Sequence, residues 1–153
     1  MAGYIELAIP GLDDLSKYLK TAKQSVRRHL NIALMKSGAI AERNAKQEAP
    51  VDTGALRSGI YLRVTDNQAI VAPIAKYAYD VEYGRSPGRL SGEERTSLRA
   101  WAKRKGLDPS AVVDSVESKG ITQNPFMQRA ADNSASAVSD AFEVAVNRIV
   151  EGW

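Results

Sequence analysis

Apolar residues at Leu15, Leu19, Ala22, Val26, Leu30, Ala33, Leu34, Ile40, Ala41 and Ala45 recur at three-and-four spacing. That period predicts one amphipathic helix, opening at an N-cap on Asp13 and running to about Glu48. At 1.5 Å per residue it would be on the order of 50 Å long, more than a small domain is wide, so part of it is expected to pack on a neighbouring copy or a second protein, unless Gly38 marks a bend. Ahead of it, Tyr4 to Ile9 alternates loosely and stops at Pro10-Gly11, as a short edge strand would. Pro50 ends the helix. Val51-Asp52-Thr53-Gly54 then has turn chemistry, because Asp and Thr oxygens accept backbone N–H groups two residues on and Gly tolerates positive φ.

Beyond that corner the period changes to two. Ile60 to Val64 alternates, Asp66-Asn67 turns, Ala69 to Val71 continues, and Tyr77 to Tyr83 follows as a further strand closed by Gly84. These runs predict a small antiparallel meander, with Tyr77, Tyr79 and Tyr83 on one strand face. Ser91-Gly92-Glu93-Glu94 has capping-box spacing and opens a helix carrying Leu98, Trp101 and Ala102, closed by Gly106. Asp108-Pro109 starts another that ends at Lys119-Gly120, and Asn124-Pro125 starts the last, whose apolar face includes Phe126, Ala130, Ala131, Ser134, Val138, Ala141, Phe142, Ala145 and Ile149. The predicted class is α+β: a long N-terminal helix and a C-terminal helix packed on a small antiparallel sheet. Residues 1–153 are read as one domain, with 85–121 as an inserted helical subdomain or flap.

Composition narrows the chemistry. A chain of 153 residues and 16.6 kDa buries roughly 68–70% of its unfolded surface without a staple. It contains no cysteine, so disulfides, thiolate zinc sites and cysteine nucleophiles are excluded, which suits a reducing cytoplasm. No stretch of about 18 consecutive apolar residues and no basic-then-apolar start is found, so neither a membrane span nor export is expected. The net charge of +3 and pI near 9.2 are too mild to imply nucleic acid. The distribution is more telling: Arg85, Arg89, Arg95, Arg99, Lys103, Arg104 and Lys105 crowd residues 85 to 105, whereas the last thirty residues lean acidic.

Each chemical candidate competes with a plainer role. Asp52-Thr53-Gly54 matches the tripeptide that carries the catalytic carboxyl of aspartic proteases, but such a loop needs strands before it so that two carboxylates can share a proton, and here a helix and a proline precede it. A structural turn is the better reading. His29, the only histidine, sits among Arg27, Arg28 and Asn31 and reads as a helix-surface residue rather than a general base. Asp80 and Glu82 would share a strand face and could hold a cation, yet no third ligand is suggested, so a solvated face is favoured. No phosphate-cradling glycine loop is present. Arg95, Arg99 and Lys103 fall at four-residue spacing on one face, joined by Arg104; that face could meet DNA phosphates, an acidic protein surface or water, and Trp101 beside it reads as core. The sequence thus calls for no cofactor, no metal and no catalytic residue.

The order of features carries a resemblance. A long helix leads into Ala49-Pro50-Val51-Asp52-Thr53-Gly54-Ala55-Leu56-Arg57, later come Val81-Glu82-Tyr83-Gly84 and Asn124-Pro125-Phe126-Met127, and a final helix closes the chain. This resembles the neck or tail-completion family of siphophages, also described as head–tail joining or minor tail proteins, over about Leu12 to Val150. The resemblance implies a non-enzymatic virion protein at the head–tail junction, present in the host cytoplasm during assembly. It implies a ring of copies, six-fold in the virion, with a head-closure or connector protein and a tail terminator or tube protein as neighbours, and DNA passing through the lumen. Its motif residues then read as scaffold: Pro50, Asp52, Thr53, Gly54, Leu56 and Arg57 at the corner, Glu82, Tyr83 and Gly84 at a strand end, and Pro125 and Phe126 anchoring the last helix. A nucleic-acid-binding module using Arg95, Arg99, Lys103 and Arg104 is the alternative.

Overall fold

A computed structural model describes residues 5–7 and 24–151. In chain order these form β1 (Ile5–Leu7), α1 (Gln24–Glu48), α2 (Ala55–Ser58), β2 (Ile60–Val64), β3 (Ala69–Pro73), α3 (Ala78–Tyr83), α4 (Gly92–Arg104), α5 (Pro109–Lys119) and α6 (Phe126–Glu151). The class is α+β, with the two long helices and the small antiparallel sheet that the periodicity predicts. The proposed helix start at Asp13, with Leu15, Leu19 and Ala22, lies outside the described residues. The chain divides into two compact units, one comprising the residues up to Ala78 together with those from Phe126 onward, the other Tyr79–Pro125.

The first unit is built on α1 against α6. Asn44 Nδ2 donates to Ser134 Oγ (2.9 Å), while Glu48 accepts from Arg129 Nε (2.8 Å) and Asn133 Nδ2 (3.1 Å). At the other end, His29, Ala33 and Lys36 lie beside Ala141, Ala145 and Arg148, so the helices are antiparallel. Their buried sides are rich in small residues, Ala33, Ser37, Ala41 and Ala45 on α1 and Ala130, Ser134 and Ala145 on α6, with Leu34 and Phe126 supplying bulk. Small side chains let the two axes approach closely, and the bulky ones fill the remaining space at core density.

The sheet has the order β1-β3-β2, antiparallel throughout. β2 and β3 form a hairpin with Val64 opposite Ala69, closed where Thr65 N donates to Gln68 O (2.8 Å). Central β3 buries Ala69, Val71 and Pro73 alternately, and β2 buries Ile60. Gly38 serves this packing and not a bend: a Cβ built there would lie 2.5 Å from Leu62 Cδ1 and 3.3 Å from Ala69 Cβ, so the missing side chain is what seats the hairpin on α1.

One predicted element is overturned. Tyr77 to Tyr83 is not a third strand of a meander; Ala78–Tyr83 is the helix α3, and the third strand is β1, paired to β3 through Ile5↔Val71. The run satisfies both periods. Ala78 and Glu82, four apart, are buried, and Tyr79 and Tyr83, four apart, are exposed with ring centroids 4.8 Å apart. A seven-residue run cannot separate the two periods, and Ala, Asp and Glu between the tyrosines are poor strand formers. The shared face expected of Tyr77, Tyr79 and Tyr83, and of Asp80 with Glu82, falls with the strand, because on a helix residues two apart diverge.

Tyr79–Pro125 closes on itself at its base. Arg85 and Ile121 exchange both backbone hydrogen bonds at 2.9 Å, and Asn124 N donates to Val81 O (2.7 Å). Between these points α4 and α5 pack together, burying Leu90, Ala102 and Val113. The capping box holds as the spacing predicts, with Ser91 N donating to Glu94 Oε2 (2.6 Å) and Glu94 N to Ser91 Oγ (3.3 Å), and Asp108 caps α5 through Ser110 N and Ala111 N.

The long-helix seam contains one imperfection. Ser37 is 1% exposed and its hydroxyl has no hydrogen-bond partner, a state that costs about 1–3 kcal/mol. Ser37→Ala removes the orphan group and improves helix propensity, so the variant is expected to unfold at higher denaturant concentration, by about 1 kcal/mol. A chemical denaturation curve in which Ser37→Ala is less stable than the parent would contradict this account of the seam.

Candidate functional site

The segment from Ala49 to Ser58 forms a corner, and each of its residues has a distinct task. Ala49 N donates to Ala45 O (3.0 Å), giving α1 its last bond, and Pro50 follows, exposed, where the helix cannot continue. Thr53 Oγ1 accepts from Ala55 N (3.4 Å), and Ser58 N donates to Gly54 O (2.9 Å). Gly54 has φ of 85°, the left-handed region, so a residue without Cβ is required for the backbone and not for space, since nothing lies within 4 Å of a Cβ placed there. Leu56 is buried and anchors the corner in the core, while Asp52, Thr53 and Arg57 stay exposed. Asp52-Thr53-Gly54 therefore follows a 25-residue helix and opens a one-turn helix, a setting unlike the strand-flanked loop of an aspartic protease.

The turn α2 does what the local pattern of the corner does not announce. It carries Arg57 to the outer side of α1, where Ala39, Glu42, Arg43, Lys46 and Gln47 complete an open groove of about 440 Å³. Lys46 Nζ is paired to Glu42 (2.7 Å). Arg43 and Arg57 form no ion pair among the described residues. Arg43 and Lys46 are legible on the sequence as a basic pair three apart, opposite Ala41 and Ala45; their meeting with Arg57 depends on the corner and is not.

The remaining motif residues are dispersed. Glu82 is buried and Tyr83 exposed on α3. Gly84 ends α3 with φ of 74°, and a Cβ there would lie 2.6 Å from Ile121 O and 2.9 Å from Gln123 N, so both its conformation and its lack of bulk are needed for the base of the second unit to close. Phe126 is fully buried at the start of α6, and Pro125 is partly buried just before it.

On α4 the four basic residues do not act alike. Arg95 is held by Glu117 of α5, through Nε (3.0 Å) and Nη2 (2.6 Å), whereas Arg99, Lys103 and Arg104 are exposed. Glu117 also accepts from Leu90 N (2.8 Å), and Arg85 Nη1 bonds Glu94 (2.6 Å). Arg95 thus spends its charge on the fold. Among the described residues no group of three or more His, Asp or Glu could hold a metal, and no helix is long and apolar enough to cross a membrane.

What this geometry defines is an α+β architecture: long helices on a small sheet, turned by a corner with a left-handed glycine. Residues 13–84 match the family model described as "Bacteriophage HK97-gp10, putative tail-component". That segment is similar to a family described as a phage tail component, which agrees with the siphophage neck and tail-completion resemblance. No match was found among curated proteins or among solved structures. The matched segment contains the corner, the hairpin and α3, and ends on Gly84.

Two outcomes test the local architecture. Gly54→Val should destabilise the chain by about 1–2 kcal/mol or more, because a β-branched residue must enter the left-handed region, and Gly54→Asn should cost less; equal denaturation midpoints for Gly54→Val and the parent would refute the strained corner. The second concerns acid. The N–H of Ser91, then its hydroxyl and the Arg85 guanidinium, hold the Glu94 carboxyl below its ordinary 4.5. The N–H groups of Ala111 and Ser110 lower Asp108 from 3.8, and the N–H of Leu90 followed by Arg95 lowers Glu117 from 4.5. A depressed folded value means stabilisation present above the ordinary value and lost as pH falls through the folded one. Amides of residues 92–119 should therefore lose hydrogen-exchange protection on acidification from neutrality to about pH 3, and less so in a Glu94→Gln/Glu117→Gln variant, after allowing for its lower starting protection. Protection in the parent that does not change over that range would contradict the assignment.

Proposed function

We propose that the chain is a non-enzymatic structural protein of a long-tailed phage, working at the head–tail junction, where copies form a ring that joins or completes the tail. The observation that carries this reading is the family match over residues 13–84, which spans the same helix–corner–hairpin that the geometry marks as the organising part of the fold. A part made of long, charged helices, with its motif residues spent on turning the chain and filling the core, is suited to packing against other proteins. The neighbours in this reading are the head-closure or connector protein on one side and the tail terminator or tube protein on the other. Copies stand in a six-fold ring and DNA passes through the lumen. Assembly would begin in the host cytoplasm.

Cryo-electron microscopy of virions should place density for this chain at the junction of head and tail, in several symmetry-related copies, and virions made without it should have heads and tails that fail to join or tails that are not completed. Density confined to the capsid shell or the distal tail tip, or normal particles in its absence, would overturn the reading.

A further inference from the structure

The outer faces of α1 and α6 carry opposite charge. On α1, exposed Arg28, Lys36 and Arg43 and half-buried Lys46 lie on the side away from buried Leu30, Leu34, Ala41 and Ala45. On α6, exposed Asp132, Ser136, Ser139 and Glu143 lie on the side away from Phe126, Ala130 and Ser134, with exposed Asp140 at the edge of that side. Of the two cations of α6, Arg129 shares that side but is bonded to Glu48, and Arg148 lies beside His29 and Lys36 of α1. Both faces belong to the first unit.

The basic face also has a receptacle. In the open groove of about 440 Å³, Arg57 stands with Arg43 and Lys46, and neither arginine has an ion-pair partner among the described residues. Asp140 and Glu143, three apart, present two carboxylates about 5 Å from each other, to be met by the two arginines, since Lys46 is already paired with Glu42. Small Ser136 and Ser139 leave room for that face to approach.

We propose that the groove beside Arg43 and Arg57 receives the acidic outer face of α6, around Asp140 and Glu143, from a second copy of this chain. Groove and acidic face are different surfaces of one molecule, so the contact is heterologous: each bound copy still offers an empty groove and a free face, and repetition closes a ring or extends a filament. Complementary charge favours this occupant over an uncharged one and sets the register. The proposal deepens the ring reading above and rests on it for its setting in the virion, while the pairwise contact itself is a property of the chain.

Charge swapping tests it. In sedimentation velocity at low salt over a concentration series, the full chain should self-associate, and added salt should weaken the association. Arg43→Glu/Arg57→Glu and Asp140→Lys/Glu143→Lys should each weaken it at least about tenfold. An equimolar mixture of the two variants, or one chain carrying all four changes, should restore it. Because the chain has no cysteine, a copy with Ala39→Cys mixed with a copy with Ser136→Cys should also yield their mixed disulfide, which detects a weak contact. A parent chain that stays monomeric and gives no mixed disulfide overturns the proposal. So does association indifferent to both reversals, or loss without recovery in the mixture when both variants keep their helical content. If Arg43→Glu/Arg57→Glu abolishes binding to duplex DNA and leaves association intact, the groove is a nucleic-acid site instead. The two readings fail separately: charge-swapped association and the mixed disulfide with no density at the head–tail junction would remove the assigned location only, and junction density without charge dependence or disulfide would remove this contact only.

Discussion

The close antiparallel contact between α1 and α6 is the constraint on which the rest of the first unit depends. Its two sides are separated by some ninety residues of chain, as the Asn44–Ser134 hydrogen bond makes explicit. Neither helix can bury its face without the other, because a single amphipathic helix has nothing to cover its apolar stripe. The small residues along the seam set the interaxial distance, and the hairpin takes the adjoining side of α1 at Gly38. The polar bonds at Ser134 and Glu48 favour one register of α6 along α1, since a slip of one turn would separate Asn44 from Ser134 and Glu48 from Arg129 and Asn133.

Given that seam, the corner has little freedom. The chain must leave the end of α1, turn, and enter β2 within the residues from Ala49 to Gly59, and it does so with a proline that stops the helix, a left-handed glycine, and one helical turn that buries Leu56. The one-turn helix is held by Ser58 N to Gly54 O and Gly59 N to Ala55 O, and Gly59 O in turn accepts from Ile74 N beyond β3. These hydrogen bonds link the one-turn helix to both ends of the hairpin. The proline and the glycine are there for what the backbone requires, and Leu56 for the core it fills.

The legible parts of the fold are those whose signals are local or strongly periodic. The stripes of α1 and α6, the Ser91 capping box and the Asp108-Pro109 start were all readable because propensity, capping and pattern agree there. Tyr77 to Tyr83 was misread because its seven residues obey two periods at once, and only burial of Ala78 with Glu82 separates them. The one-turn helix at Ala55–Ser58 is too short to leave a periodic trace. β1 was expected as an edge strand, and it occupies the place beside β3 that the misread segment would have taken. For the candidate site, the corner was visible through Pro50, Thr53 and Gly54. The groove was not, because Arg57 meets Arg43 only after the chain has turned, and Arg95 could not be told from Arg99 until Glu117, twenty-two residues on, was found bonded to it.

The distribution of charge follows from the same division of labour. On α4 and α5, ion pairs such as Arg95–Glu117 and Arg85–Glu94 do structural work in a unit whose buried side chains are few, mainly Leu90, Ala102 and Val113. Half-exposed pairs of this kind are individually weak, but those carboxylates also accept backbone N–H groups at Ser91 and Leu90, so each ties a loop to a helix end as well as two helices together. The first unit already has an extensive apolar seam, and most of the charge on the outer faces of α1 and α6 is not consumed in holding the chain together. Surface charge that a fold does not need internally is free to set what the fold meets, and segregating cations to one helix and carboxylates to its antiparallel neighbour gives the molecule a direction. For a chain that adds to its like in one orientation, as proposed above, that direction would matter more than the strength of any one pair.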